Sequence, residues 1–195
     1  RARGFRKGLR DVLSKMKDLS QHSLVENEFV WMMDDIFMVQ STSKKELRVP
    51  RAGRKIKTSR SNGWQSVKSN TASRLAEQGL PINDYATHLP HYVVKSKLQD
   101  LFKNKKWDPI NEIFLWEVAY NNFHNHVPQP HDPFLRRISS QKDSDWYDRI
   151  SQRSHFLNIC SKGWGGRLRN WLMDMFPESH EDESGILYRY NERST

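Results

Sequence analysis

The sequence predicts a mainly α fold: a single domain of six or seven helices from which a basic, extended arm projects. Three observations predict it. Apolar residues recur at three- and four-residue spacing over much of the chain, several of those runs carry start and stop residues, and residues 44–74 carry charge without periodicity. A length of 195 residues suits one domain with room for a proper core. The hydrophobic share of 36% is low while seven Trp, nine Phe and six Tyr are many, so the expected product is a compact aromatic core with polar appendages.

Taken in order, residues 1–43 read as two helices. Phe5, Leu9, Val12, Leu13, Met16 and Leu19 fall on one helical face, ringed by Arg3, Arg6, Lys7, Arg10 and Lys17, which makes the first a basic amphipathic helix. Ser23 and Glu26 have capping-box spacing, so a second helix is expected to start near Leu24. Its run to Val39 is apolar enough for a central core helix, with a tail that also suits a strand.

Residues 44–74 hold ten Lys and Arg against the single acid Glu46, an excess of nine that equals the +9 of the whole chain. Pro50, Gly53, Gly63 and many Ser, Thr and Asn argue against regular structure, so this segment is expected to be a flexible arm. The body, 75–176, is expected to be helical. A short helix over 71–78 ends at Gly79, residues 91–106 present Val94, Leu98, Leu101 and Phe102 on one face, and Asp108 with Pro109 open a helix that buries Ile113 to Phe123. Asp143 or Ser144 caps a helix running through Trp146 and Leu157 toward Cys160, and the last helix spans 168–176. The acid-rich residues 177–195 read as a polar tail.

One cysteine excludes an internal disulfide, and no apolar run reaches the length of a membrane span, so an intracellular setting is expected: nucleus, organelle matrix or virion interior. The expected partner is a polyanion. Cations without apolar periodicity neutralise phosphates and release counterions, largely without regard to sequence. Lys44, Lys45, Arg48, Arg51, Arg54, Lys55, Lys57, Arg60 and Lys68 are the candidate contacts, with Arg3, Arg6, Lys7 and Arg10 as a second zone and Trp64 as a base-stacking candidate. RNA is preferred to DNA because a pliant basic segment orders well on irregular RNA.

The expected role is therefore a non-enzymatic, cofactor-free component of a ribonucleoprotein, nucleocapsid or organellar ribosome, alongside protein partners. A structural or adaptor protein acting through exposed Trp and Phe faces is the first alternative. A metal-dependent nuclease or hydrolase is the second, since His124, His126 and His131 with Asp132 offer a zinc-type donor set, though in no standard spacing. Asp34 and Asp35 are poorly placed to share magnesium on a helix, because adjacent residues point about 100° apart. Around Cys160 there is no nucleophile pattern. The glycine-rich SKGWGGRLRN, 161–170, lacks P-loop spacing and reads as a turn with phosphate contact open to Arg167 and Arg169.

Overall fold

The computed structural model describes residues 2–56 and 63–176, with side chains from residue 7 onward. Helix α1, Ala2–Gln21, follows its periodicity: Leu13 and Met16 are buried at 1% and 0% exposure, and Leu9, Val12 and Leu19 pack beside them. Lys7 and Arg10 remain outside. The apolar face lies on helix α4, Lys95–Lys103, where the Gln99 amide donates to the Ser20 carbonyl at 2.6 Å.

The mainly α expectation is corrected by seven strands in three small sheets among the described residues, which make this a mixed α/β fold. The first correction falls on 24–39. That run holds no helix but two strands, β1 (Glu28–Trp31) and β2 (Ile36–Met38), separated by a turn at Asp34 and Asp35. Strand β1 pairs antiparallel with β4, His91–Val94, so the expected helix over 91–106 begins only at Lys95. Both strands are aromatic and β-branched, EFVW and HYVV, a composition that packs well on a pleated surface.

The second correction concerns the arm. Ser43 and Glu46 form a capping box on the short helix α2, Lys44–Leu47. Strand β3, Arg51–Ala52, pairs parallel with β5, Gln129–Pro130. Backbone bonds then run from Gly53 N–H to the Asp84 carbonyl at 2.8 Å and from Ile56 N–H to the Ile82 carbonyl at 3.0 Å, and Ala52 and Ile56 are core residues. Helix α3, Trp64–Ala76, starts well before the expected 71–78 helix and buries Val67, Thr71, Ala72 and Leu75. A described segment with two buried apolar anchors, a helix and ladder bonds is docked, not free.

Helix α5, Trp116–Phe123, is the centre of the largest core, buried on nearly all sides and starting later than Asp108 and Pro109 led us to expect. The Asn122 amide ties it to the chain around it by donating to the Asn83 and Val118 carbonyls at 2.8 Å and accepting from Asn83 N–H at 2.9 Å. Beyond it lies a second unit. Strand β6, Leu135–Ile138, leads through helix α6, Ser144–Ser151, to β7, Phe156–Ile159, which pairs parallel with β6 and antiparallel with β2. The expected helix toward Cys160 therefore ends at Ser151, because residues 156–159 are buried on both faces and form the central strand.

Helix α7, Gly166–Met175, closes this unit, with Leu168, Trp171 and Leu172 packed on Ile138, Tyr147, Leu157 and Ile159. The Asp143 carboxylate accepts from Trp146 N–H at 2.8 Å as the N-cap of α6. Asp143→Ala is expected to lower stability by about 1 kcal/mol in a denaturant titration. Lys57, Arg60, the side chains of Arg3 and Arg6, and the tail at 177–195 lie outside the described residues.

Candidate nucleic-acid interface

The cations of residues 44–74 divide by what they touch. The Lys44 ammonium lies 2.7 Å from Glu28, and Arg48 Nη2 donates to both oxygens of the same carboxylate at 2.8 and 3.0 Å, with its Nε on the Tyr92 hydroxyl at 2.9 Å. Hydrogen bonds from Lys44, then Tyr92 and Arg48, hold Glu28 down at about 2. Lys68 is paired with Asp84, and Arg74 with Glu112. Arg51 lies 3.7 Å over the Phe134 ring, and Trp64 is half-buried against the main core. Lys45, Arg54 and Lys55 are exposed and have no carboxylate at ion-pair distance among the described residues.

The arm is therefore not a uniform cationic strip. Strand β1 places Glu28, and the loop before β4 places Asp84, under specific arm residues. Three of its candidate contacts, Lys44, Arg48 and Lys68, are held by these carboxylates and serve to dock the segment.

The histidine group is also structural. The Asn121 Nδ2 donates to the Glu117 carbonyl at 2.8 Å, which turns its Oδ1 toward His126 Nδ1, also at 2.8 Å. His126 Nδ1 must then carry the proton, and its Nε2 accepts from the Lys97 ammonium at 3.1 Å. Burial first, then the Lys97 charge, lowers its pKa to about 4. His124 Nε2 donates to the Lys97 carbonyl at 2.9 Å. His131 joins neither ring, and no group of three or more His, Cys, Asp or Glu among the described residues is arranged to hold a metal ion.

Unpaired charge collects elsewhere. In the β6–α6–β7–α7 unit, Arg136, Arg137, Arg149, Arg153, Lys162, Arg167 and Arg169 are exposed, and none has a carboxylate at ion-pair distance among the described residues. At the carboxyl edge of the parallel pair β6–β7 the chain turns through the glycine-rich loop into α7. Gly163 is required there, because a Cβ would sit 2.5 Å from the Ile138 carbonyl oxygen. The same carbonyl accepts from Cys160 N–H at 3.1 Å, so strand end and loop are stitched together.

The first turn of α7 has no acidic residue, and no side chain caps its N–H groups. Those amides and the dipole of the helix favour an anion. Lys162 and Trp164 in the loop and Arg167 and Arg169 in the first turn of α7 are all exposed, with Trp164 at 43% and stacked on Phe37 at a centroid distance of 6.1 Å. Asp143 and Asp174 share a shallow groove with Arg167 beyond ion-pair distance, and Asp143 is already engaged as a helix cap. The carboxyl ends of parallel strands beside a helix N-terminus are where open α/β sheets receive ligands.

Sequence reasoning marked Arg167 and Arg169 but ranked them below the arm. The parallel pairing of β6 and β7 was the missing fact, and the only local hint was FLNI, four apolar or amide residues bounded by His155 and Cys160. Comparison with known proteins finds no family model and no curated protein that the sequence matches. No helix among the described residues is long and apolar enough to cross a membrane.

Proposed function

We propose that the protein binds nucleic acid, RNA ahead of DNA, without catalysing a reaction, as a component of a ribonucleoprotein, nucleocapsid or organellar ribosome. The observation that carries this reading is the group of unpaired cations around the uncapped start of α7, with exposed Trp164 beside them. Cations held by carboxylates have little left to offer a phosphate, whereas Lys162, Arg167 and Arg169 keep their full donor capacity. An indole at 43% exposure offers one face to an unpaired base, a contact worth roughly 1 to 3 kcal/mol. Lys45, Arg54, Lys55, Lys7 and Arg10 extend the positive field.

Fluorescence anisotropy with single-stranded RNA and DNA of one sequence tests the reading. Binding that weakens steeply with salt and favours RNA is expected; affinity for neither strand at low salt removes the proposal.

A second reading has its own observation. Val30, Met32, Met33 and Met38 are exposed within one short stretch, an apolar surface of the sort that meets another protein. Ordered assembly after nuclease treatment, seen by light scattering, would favour an adaptor or scaffold role.

A further inference from the structure

A cavity of about 280 Å³ lies between residues 46–51, strand β4 and the facing side chains of α4 and α5. It is apart from the start of α7 and shares none of its residues. A water molecule takes about 30 Å³ of liquid, so the space is several waters large and close to the lower end of small-molecule pockets.

Arg48, Arg51 and Lys97 line the cavity against Glu28 and Glu46. Both acids are engaged. Glu28 holds Lys44 and Arg48, and Glu46 accepts from Ser43 N–H and Oγ at 2.8 and 2.7 Å, attracting Arg51 only at longer range. Among the described residues no carboxylate lies at ion-pair distance from Arg51 or Lys97.

The donors of the wall are in surplus. Arg51 Nε is buried without an acceptor, and its Nη1 makes one long bond, 3.4 Å, to the Pro130 carbonyl. Lys97 Nζ gives one of its three N–H groups to His126. The Tyr120 hydroxyl accepts from Val94 N–H at 2.9 Å, and its own proton meets no acceptor among the described residues. A buried donor without a partner is costly, so Arg51 Nε, beside the spare protons of Lys97 and Tyr120, favours an oxyanion. Leu89, Pro90 and Phe134 supply an apolar surface for whatever the anion is attached to.

We infer that this cavity binds a phosphomonoester carried on a small organic body, with Lys97, Arg51 and Tyr120 on the phosphate oxygens. Three donors from β3, α4 and α5 match the three terminal oxygens of such a group, where a carboxylate would offer two. The source is either a free nucleoside monophosphate or the phosphorylated end of a nucleic-acid strand. Only the second form rests on the nucleic-acid reading above.

Isothermal titration calorimetry on the full chain tests the site with adenosine 5′-monophosphate, adenosine, and a short RNA bearing either a 5′-phosphate or a 5′-hydroxyl. The monophosphate is expected to bind and adenosine not to. Lys97→Gln, melting like the wild type, is expected to lose roughly 10- to 100-fold in affinity, and Arg51→Lys provides a second variant that keeps the charge. Preference for the 5′-phosphorylated RNA supports the strand-end form, and monophosphate binding without that preference supports the free-nucleotide form. No heat with the monophosphate at millimolar concentration, or unchanged affinity in Lys97→Gln, overturns the site. Binding of the 5′-hydroxyl RNA by wild type and Lys97→Gln alike reports on the α7 surface alone, so the two readings fail separately.

Discussion

Replacing Lys162, Arg167 and Arg169 together by Gln is expected to reduce RNA affinity by roughly several hundredfold near 50 mM salt. Each phosphate neutralised on a single strand contributes about 0.7 to the slope of log affinity against log salt, so losing three contacts flattens it by about 2. That electrostatic part fades near molar salt, about 1.3 decades above 50 mM, and the product of slope and range gives the fold-change. The matched control is Lys44→Gln with Arg48→Gln. Both of those cations sit on Glu28, so their removal is expected to leave the slope nearly unchanged. Exposed pairs contribute at most about 1 kcal/mol, so the control should also fold. A filter-binding or anisotropy titration in salt reads both variants, and the opposite ranking would move the interface to residues 44–48.

The second large effect is on stability against pH. His91 is held neutral, burial first and then the His88 charge lowering its pKa to about 4, and His126 is likewise lowered to about 4. A histidine with a depressed folded pKa binds its proton more readily when unfolded, so stability is lost as pH falls from about 6.5 to about 4. For His91 alone that loss has a ceiling of about 3 kcal/mol.

Glu117 acts in the opposite direction. Burial raises its carboxyl to about 7, so the folded state keeps a proton that the unfolded chain releases, and stability is lost as pH rises from about 4.5 to about 7. Two histidines outweigh one carboxyl below pH 6.5. Each of the three groups shifts stability by about 2 kcal/mol between about pH 6.5 and pH 4.5, so the net loss is about that of one histidine. Thermal melts should therefore show a midpoint that falls by roughly 4 to 8 °C over that range. His91→Phe, which keeps the edge-on contact with Trp116, is expected to flatten that limb. Glu117→Gln is expected to raise the midpoint at pH 8 and not at pH 4.5. A midpoint independent of pH in the wild type would contradict both assignments.

How much of this was legible in the sequence depended on whether the signal was local. Helix α1 was readable because Leu9, Val12, Leu13, Met16 and Leu19 set a period over about three turns, and α6 because Asp143 is a cap wherever it sits. The strands were not. EFVW, HYVV and FLNI are each four residues long, too short to fix a period, and each becomes a strand through a partner distant in the chain: β1 through β4, β7 through β6 and β2. The density of apolar residues in 24–39 suggested a buried helix, yet Asp34 and Asp35, placed where a core helix would have to bury them, marked the turn.

The charge of 44–74 was legible as a sum but not as an arrangement. Whether Arg48 faces a phosphate or a carboxylate depends on Glu28, twenty residues away, which only the β1–β4 pairing brings under it. The cavity behind Lys97 was beyond reach for the same reason, since Arg51, Lys97 and Tyr120 come from three separate elements. The SKGWGGRLRN loop, by contrast, showed its glycines and arginines directly. What it could not show was that Gly163 packs on the end of β6 and leads the loop into a helix start that no side chain caps.

Hydrogen–deuterium exchange of the full chain with and without saturating single-stranded RNA is the most direct measurement. With a 5′-hydroxyl RNA, slower exchange across residues 160–169 and at 136–141, with a smaller change at 28–48, is the predicted result. Protection confined to 28–48, or none at the start of α7, would contradict the claim that nucleic acid is held by the unpaired cations of that edge.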